Sequence, residues 1–245
     1  MILVVGSNHD DVLFFESSLK DAHEESFLGR YHILIGSIGS TEVGVIQDVY
    51  TSFVSSTILM HLANKYVISS VINVGRASLI KGTLNIGDVL ISEQTMFLDV
   101  DQISRDNNVL LGQIPSFPRL FSSSFEMINT ASKSLDVVFD GHYDKGLILS
   151  SSFFRQNKED IKNLEDDSYL SSLTNNIVLG GEYAGLALSS YLLDIPCISI
   201  KVIEARVDEY TSLDNYLSVL DKYTSLGKAI IYFIAEISRT DVKRM

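Results

Sequence analysis

The chain has 245 residues, enough for one substantial core and short for two comfortable domains. Apolar residues make up 46% and charged residues 20%, which excludes a disordered chain, and the single cysteine, Cys197, excludes an intramolecular disulfide or a cysteine zinc site. A formal charge of −12 argues against nucleic acid as a partner, because duplex binding draws on basic contacts to phosphate, and no run approaches the ~20 apolar residues of a membrane span.

The opening run Ile2–Val5 is apolar, lacks a basic leader and is followed at once by Asn8, His9, Asp10 and Asp11. It reads as a first strand rather than a signal peptide, so the expected location is cytoplasmic. Asp10–Ala22 carries Val12, Leu13, Phe15 and Leu19 on one helical face and predicts a helix. The β-branched runs Ile33–Ile35 and Val43–Ile46 predict strands, Ser52–Asn64 a helix, and Val67–Val74 and Asp88–Ser92 two more strands. Asp99–Pro118, with Asp106, Asn107, Asn108 and two prolines, reads as a long excursion of the kind that is often functional. Phe125–Ser134 predicts a helix, Gly146–Leu149 a strand, Gln156–Leu164 a helix and Ile177–Leu179 a strand. Tyr183–Leu193, Cys197–Ile203 and Leu213–Ile237 then predict helix, strand and a long final helix. Several strands are apolar on both faces, which implies a central sheet covered by helices. The class is α/β with a mixed sheet. No linker, repeat or boundary interrupts residues 1–245, so one domain is expected. Low charge and positive mean hydropathy point to apolar surface covered in an oligomer. His9, His23, His32, His61 and His142 contain no i,i+4 pair, and no metal site or cofactor is argued.

Four segments, in order, resemble the nucleoside phosphorylase/nucleosidase superfamily, and within it the 5′-methylthioadenosine/S-adenosylhomocysteine nucleosidases. The first is Val4-Val5-Gly6-Ser7-Asn8-His9-Asp10-Asp11, similar to the family's strand, glycine and acidic turn. The second is Val71-Ile72-Asn73-Val74-Gly75-Arg76-Ala77, then Ile86-Gly87-Asp88-Val89 and Asp99-Val100-Asp101, where the family has Ile-Asn-Thr-Gly-Ser-Ala-Gly-Gly, Val-Gly-Asp and His-Asp-Ala-Asp. The third is Gly112-Gln113-Ile114-Pro115, and the fourth runs from Lys145-Gly146-Leu147-Ile148 through Glu182 to Pro196 and Lys201. The resemblance implies a single α/β domain with a mixed, barrel-like twisted sheet surrounded by helices. It also implies an active site at strand ends, closed by the neighbouring subunit of a homodimer.

The family cleaves the bond between a purine nitrogen and ribose C1′ through an oxocarbenium-like transition state. That chemistry needs an acid for the departing purine, a base for water and an anchor for the ribose hydroxyls. By resemblance the base falls on Asp11, one methylene shorter than the family's Glu; Asp10 and Asp11 equally suit the first turn of a helix. The ribose anchor falls on Glu182, which also suits a helix N-terminus. Gly180 and Gly181 replace the residues ahead of the anchor and would enlarge the pocket floor or admit the ligand to the backbone. Phe154 takes the purine-stacking position, with the ordinary core as its other reading, and Arg155 replaces an apolar residue.

The proton donor is the main departure. Lys201-Val202-Ile203-Glu204-Ala205 stands where the family has Arg-Ala-Ile-Ser-Asp, so Ala205 replaces the acid. Glu204 or Asp208 could substitute, but Glu204 faces away from Ala205 along a regular strand. Relocation therefore requires a bulge or turn, and without one the acid is lost, which is the favoured reading. Arg76 replaces a Ser beside the ribose and must face an acid such as Asp11, Glu182 or Glu204, or else an anionic ligand; the internal salt bridge is favoured. No Arg lies between Gly6 and Lys20 to hold phosphate, which favours water as nucleophile. The function implied is N-glycosidic cleavage of an adenosine-type purine nucleoside. The alternative is a catalytically impaired homologue that binds a purine or an anionic nucleoside without turnover.

Overall fold

The computed structural model describes residues 1–100, 109–151, 167–207 and 212–242, the side chains of 239–242 excepted. Strand β1 (Ile2–Gly6) leads into α1 (His9–Ser18), then β2 (Lys20–Phe27), β3 (Tyr31–Ile38), β4 (Thr41–Ile46) and α2 (Ser52–Ala63). The long β5 (Ser70–Lys81) and β6 (Val89–Phe97) follow, with the short β7 (Phe121–Ser122), α3 (Phe125–Val138) and β8 (Tyr143–Ser150). The chain continues through α4 (Ser168–Leu173), β9 (Ile177–Gly180), α5 (Tyr183–Leu193), β10 (Cys197–Arg206) and α6 (Leu213–Val242).

Alternation along the strands divides the core. Ile2 and Val4 face α1, α3 and α6, while Leu3 and Val5 face α2 and α5. Strand pairing runs β10-β6-β8-β9-β5, and β5 also pairs with β10. These five strands therefore close into a barrel, and β1, β4, β3 and β2 extend from β5 as an open flap. The expected α/β domain with a mixed, barrel-like sheet is what the chain forms.

β5 serves three neighbours. One edge pairs with β1 from Ser70 to Val74 and with β9 from Ser78 onward; the other pairs with β10 from Val71 to Leu79. Between Val74 and Ser78 the first edge has neither partner. β1 runs parallel to β5 and β9 antiparallel, so the C-terminal ends of both strands converge on this gap. A gap of this kind, outside converging strand ends, is where open α/β sheets bind ligands.

One expectation needs correction. The helix expected over Asp10–Ala22 ends at Ser18, and Lys20–Phe27 forms the edge strand β2 instead. Its side chains are nearly all exposed, so no apolar alternation marks it in the sequence; pairing with β3 creates it. The helix expected over Gln156–Leu164 lies outside the described residues. The strand expected over Val67–Val74 starts at Ser70 and runs on to Lys81, and Tyr183–Leu193 is a helix over the span expected. Among the described residues no helix is long and apolar enough to cross a membrane.

α2 and α5 pack closely and position the chain entering the gap. Ser52 Oγ donates to Gly181 O at 3.0 Å, and Ser55 Oγ donates to Glu182 O at 2.7 Å. Gly185 makes this approach possible: a Cβ there would collide with the Ser52 carbonyl and the Ser55 hydroxyl. Because the obstruction is backbone, it cannot yield cheaply. Gly185→Ala is therefore expected to destabilise the protein by roughly 1–3 kcal/mol, read as a lower urea midpoint at unchanged slope.

Candidate active site at the parting of the sheet

Asp11 lies in the first turn of α1, just beyond the end of β1, and is 1% exposed. The helix-start role foreseen for it is present. Its Oδ2 accepts the Asn8 backbone N–H at 2.9 Å, closing the helix start. Its Oδ1 accepts the Tyr223 hydroxyl at 2.7 Å and lies 3.5 Å from Arg76 Nε. Gly75 makes the proximity possible. Its φ of +148° suits glycine, and a Cβ there would come within 3.1 Å of Asp11 Oδ2 and 3.2 Å of Lys201 Nζ.

Glu182 enters from the end of β9. Although it is the N-cap residue of α5, its side chain makes no capping bond. The carboxylate turns inward instead, where Oε1 accepts Asn73 Nδ2 at 2.9 Å and forms a short ion pair with Lys201 Nζ. Ser199 Oγ orients Asn73 through its Oδ1 at 2.7 Å. Burial alone would push the Glu182 carboxyl up. The Lys201 ammonium, by charge and hydrogen bond, and Asn73 outweigh burial and hold it below the ordinary carboxylate range. Both donors engage Oε1, so Oε2 has no side-chain partner among the described residues.

The bulge that a relocated acid requires is present. β10 pairs with β5 as Ile203↔Ala77 and then Ala205↔Ser78, so Glu204 is the extra residue. Ala205 is 1% exposed. Glu204 turns toward the gap, with Oε2 3.8 Å from Arg76 Nη1. The regular alternation expected of Glu204 and Ala205 is interrupted at this step. Among the described residues the Glu204 carboxyl accepts no hydrogen bond. Burial pushes it above the ordinary carboxylate range; Arg76 opposes the shift and Asp11 adds to it.

Arg76 links the two acids, and its guanidinium sits 5.4 Å from the centre of the Tyr216 ring. The internal salt bridge expected for Arg76 is therefore formed. Tyr216 in turn donates to Asp10 Oδ2 at 2.5 Å, which locates it at this site.

Gly181 packs closely against the segment ahead of α2. A Cβ there would meet the Tyr50 carbonyl at 2.6 Å, so its missing side chain admits the chain itself. Phe154 and Asp208, with Phe153, Arg155 and Tyr210, lie outside the described residues. The sequence reading missed Tyr223 altogether, and it quoted Asn73 and Lys201 only as parts of motifs. The i,i+7 spacing of Tyr216 and Tyr223 on one helix was the available signal for the first.

The family model described as Phosphorylase superfamily matches residues 1–235. The 5′-methylthioadenosine/S-adenosylhomocysteine nucleosidase of Buchnera aphidicola is 30% identical over 190 residues, 78% of each chain. That of Desulfotalea psychrophila is 24% identical over 219 residues, covering 88% of this chain and 89% of its own. In fold, the chain is similar to the Neisseria meningitidis nucleosidase solved with methylthio-immucillin-A, with a TM-score of 0.84 at 19% identity over 95% of this chain and 97% of that one. It is equally similar to the futalosine hydrolase of Helicobacter pylori, with a TM-score of 0.83 at 19% identity over 96% and 97%. The chain belongs to the phosphorylase superfamily.

Proposed function

We propose that the protein is a purine nucleosidase that cleaves the N-glycosidic bond of an adenosine-type nucleoside, of the 5′-methylthioadenosine/S-adenosylhomocysteine class. The carrying observation is Glu204, the extra residue of the bulge, whose carboxyl lies 3.8 Å from Arg76 and within charge reach of Asp11. Paired acids with opposite tasks are recognised by unlike surroundings. Glu204 meets no hydrogen-bond donor and has a raised pKa, which suits an acid that delivers a proton to the departing purine. Asp11 is ringed by donors and suits the base that draws a proton from the attacking water. Glu182 keeps Oε2 available for the ribose hydroxyls, and a buried acceptor of this kind rejects sugars that lack them. Phe154 is the proposed stacking ring for the purine, Gly181 belongs to the pocket floor, and Asp208 is the alternative acid. No cofactor enters the reaction.

One observation favours a second reading. Arg76 lies between Asp11 and Glu204 and engages both, so a guanidinium occupies ground on which the sugar would react. An impaired homologue would bind a purine and release nothing.

As the resemblance implies, we further propose a homodimer in the cytoplasm. Phe53, 72% exposed, and Met60 lie seven residues apart on α2. Beside them a cavity of about 340 Å³ is lined by Phe53, Phe97, Val100, Ile114 and Leu188. An apolar face of this kind suits a second copy. Sedimentation is expected to return twice the mass of the chain, and a monomer at micromolar concentration would remove this part of the proposal.

Glu204→Gln is expected to cut kcat for adenine release from 5′-methylthioadenosine by ~100-fold or more and to change KM little. Unchanged turnover, with loss in Asp208→Asn, would move the acid to Asp208. The same variant has a stability signature. A carboxyl with a raised folded pKa stabilises the fold fully below its unfolded pKa, and that contribution is lost as pH rises through the folded value. Glu204→Gln should therefore melt above the wild type at neutral pH, and the gap should close as pH falls below ~4.3.

Arg76→Ser separates the two readings. If Arg76 balances the working acids, adenine release falls by about 10-fold or more. A rise in release, from a wild type that binds adenine without turnover, would establish the impaired reading.

A further inference from the structure

Tyr223 and Tyr216 project from one face of α6 and reach two consecutive acids on α1. Tyr223 donates to Asp11 Oδ1 at 2.7 Å, and Tyr216 donates to Asp10 Oδ2 at 2.5 Å. More than two hundred residues separate the partners in the chain, so only the docking of α6 on α1 and β10 brings them together. The Tyr223 hydroxyl is buried with its ring, and burial, then the charge and hydrogen bond of Asp11, push its own ionisation well above the ordinary tyrosine range. It is thus a fixed neutral donor. Asn8 holds Oδ2 through the backbone, and Tyr223 holds Oδ1. With a donor on each oxygen the short carboxylate cannot rotate. The remaining approach to Oδ1 is the side facing Arg76 and the gap.

We propose that Tyr223 is a positioning residue of the reaction: its phenol fixes the Asp11 carboxylate so that its open side faces the attacking water. The inference rests on the reading of Asp11 as the base. It assigns α6 a chemical role as well as a packing one. A phenol on a neighbouring helix supplies rigidity that a short acid, set back from the gap, cannot obtain from its own backbone alone. Misplacing a catalytic group by about 1 Å costs on the order of 100-fold, which is the size of effect such a clamp guards against.

The test is a kinetic cycle on the full chain with 5′-methylthioadenosine: wild type, Tyr223→Phe, Asp11→Asn and the double variant. Tyr223→Phe is expected to lower kcat by about 10- to 100-fold with KM held within about 2-fold, and to add nothing further in the Asp11→Asn background. Site-specific 3-fluorotyrosine at 223 keeps the shape and the donor, and it should restore turnover even where the Phe variant is less stable. The proposal is overturned if Tyr223→Phe retains wild-type kcat, or lowers it equally in both backgrounds. It is also overturned if fluorotyrosine fails to rescue a folded protein. A wild type that releases no base from any nucleoside overturns the reading of Asp11 and this inference together; the first three outcomes, with an active wild type, remove the inference alone.

Discussion

The site exists because β5 changes partners in mid-strand. Up to Val74 one edge is occupied by β1, and from Ser78 by β9, while β10 runs along the other edge throughout. A sheet cannot pair continuously with two strands arriving from opposite directions, so their ends must part. The backbone edge at Gly75–Ala77 then faces a space instead of a neighbouring strand. Each arriving strand delivers an acid a few residues past its end: Asp11 after β1 and Glu182 after β9. Gly75 sits where both acids and their cations need room, since any side chain there would meet Asp11 on one side and Lys201 on the other. The architecture, not local sequence, sets these groups facing one another.

The charges around the gap fall into two arrangements with different tasks. Glu182 and Lys201 form a fully buried pair, and breaking such a pair from one side strands a charge in low dielectric. Asn73 and Ser199 extend it into a hydrogen-bonded chain, the kind of network that rigidifies a core when its members are satisfied. Asp11, Arg76 and Glu204 are looser. The contacts of 3.5 and 3.8 Å are ion pairs without hydrogen bonds, and Arg76 is half-buried. The first arrangement suits holding a sugar in one orientation. The second suits proton exchange at Glu204, which has no hydrogen bond to break among the described residues when its charge changes.

How far the sequence revealed this depends on the scale of each feature. Helix α5 was legible because its whole turn pattern is local and its ends carry their own signals. β2 was not, because an exposed edge strand has no apolar rhythm and owes its form to β3. Among the site residues, Asp11, Glu182 and Arg76 were legible through motifs, and the structure brings all three to one gap. Glu204 was visible as a residue but not as a direction. It is the extra residue of one irregular step against β5, which no spacing on β10 announces. Gly181 was read as room for a ligand; the carbonyl of Tyr50 lying where its side chain would be is a packing reason for glycine that the sequence did not show. Tyr223 was invisible for the plainest reason: its partner lies at the other end of the chain, and helix α6 buries it as it buries its apolar neighbours.

The bulge carries a further consequence for the fold. In a strand, successive side chains alternate faces, so inserting one residue exchanges the faces of everything that follows. Ile203 opposes Ala77 and Ala205 opposes Ser78, with Glu204 displaced between them. A methyl at Ala205 can then be buried against the barrel, while the carboxyl one position earlier is turned out toward Arg76. Glu204 follows Val202 on the face that Val202 shares with its partner Arg76, and the irregular step shifts the residues after it. The arrangement places the acid beside Arg76. It leaves Glu204 partly desolvated, close to one cation and without a hydrogen-bond donor. That condition weakens the fold at neutral pH and keeps the proton on the carboxyl to higher pH than a solvated Glu would hold it.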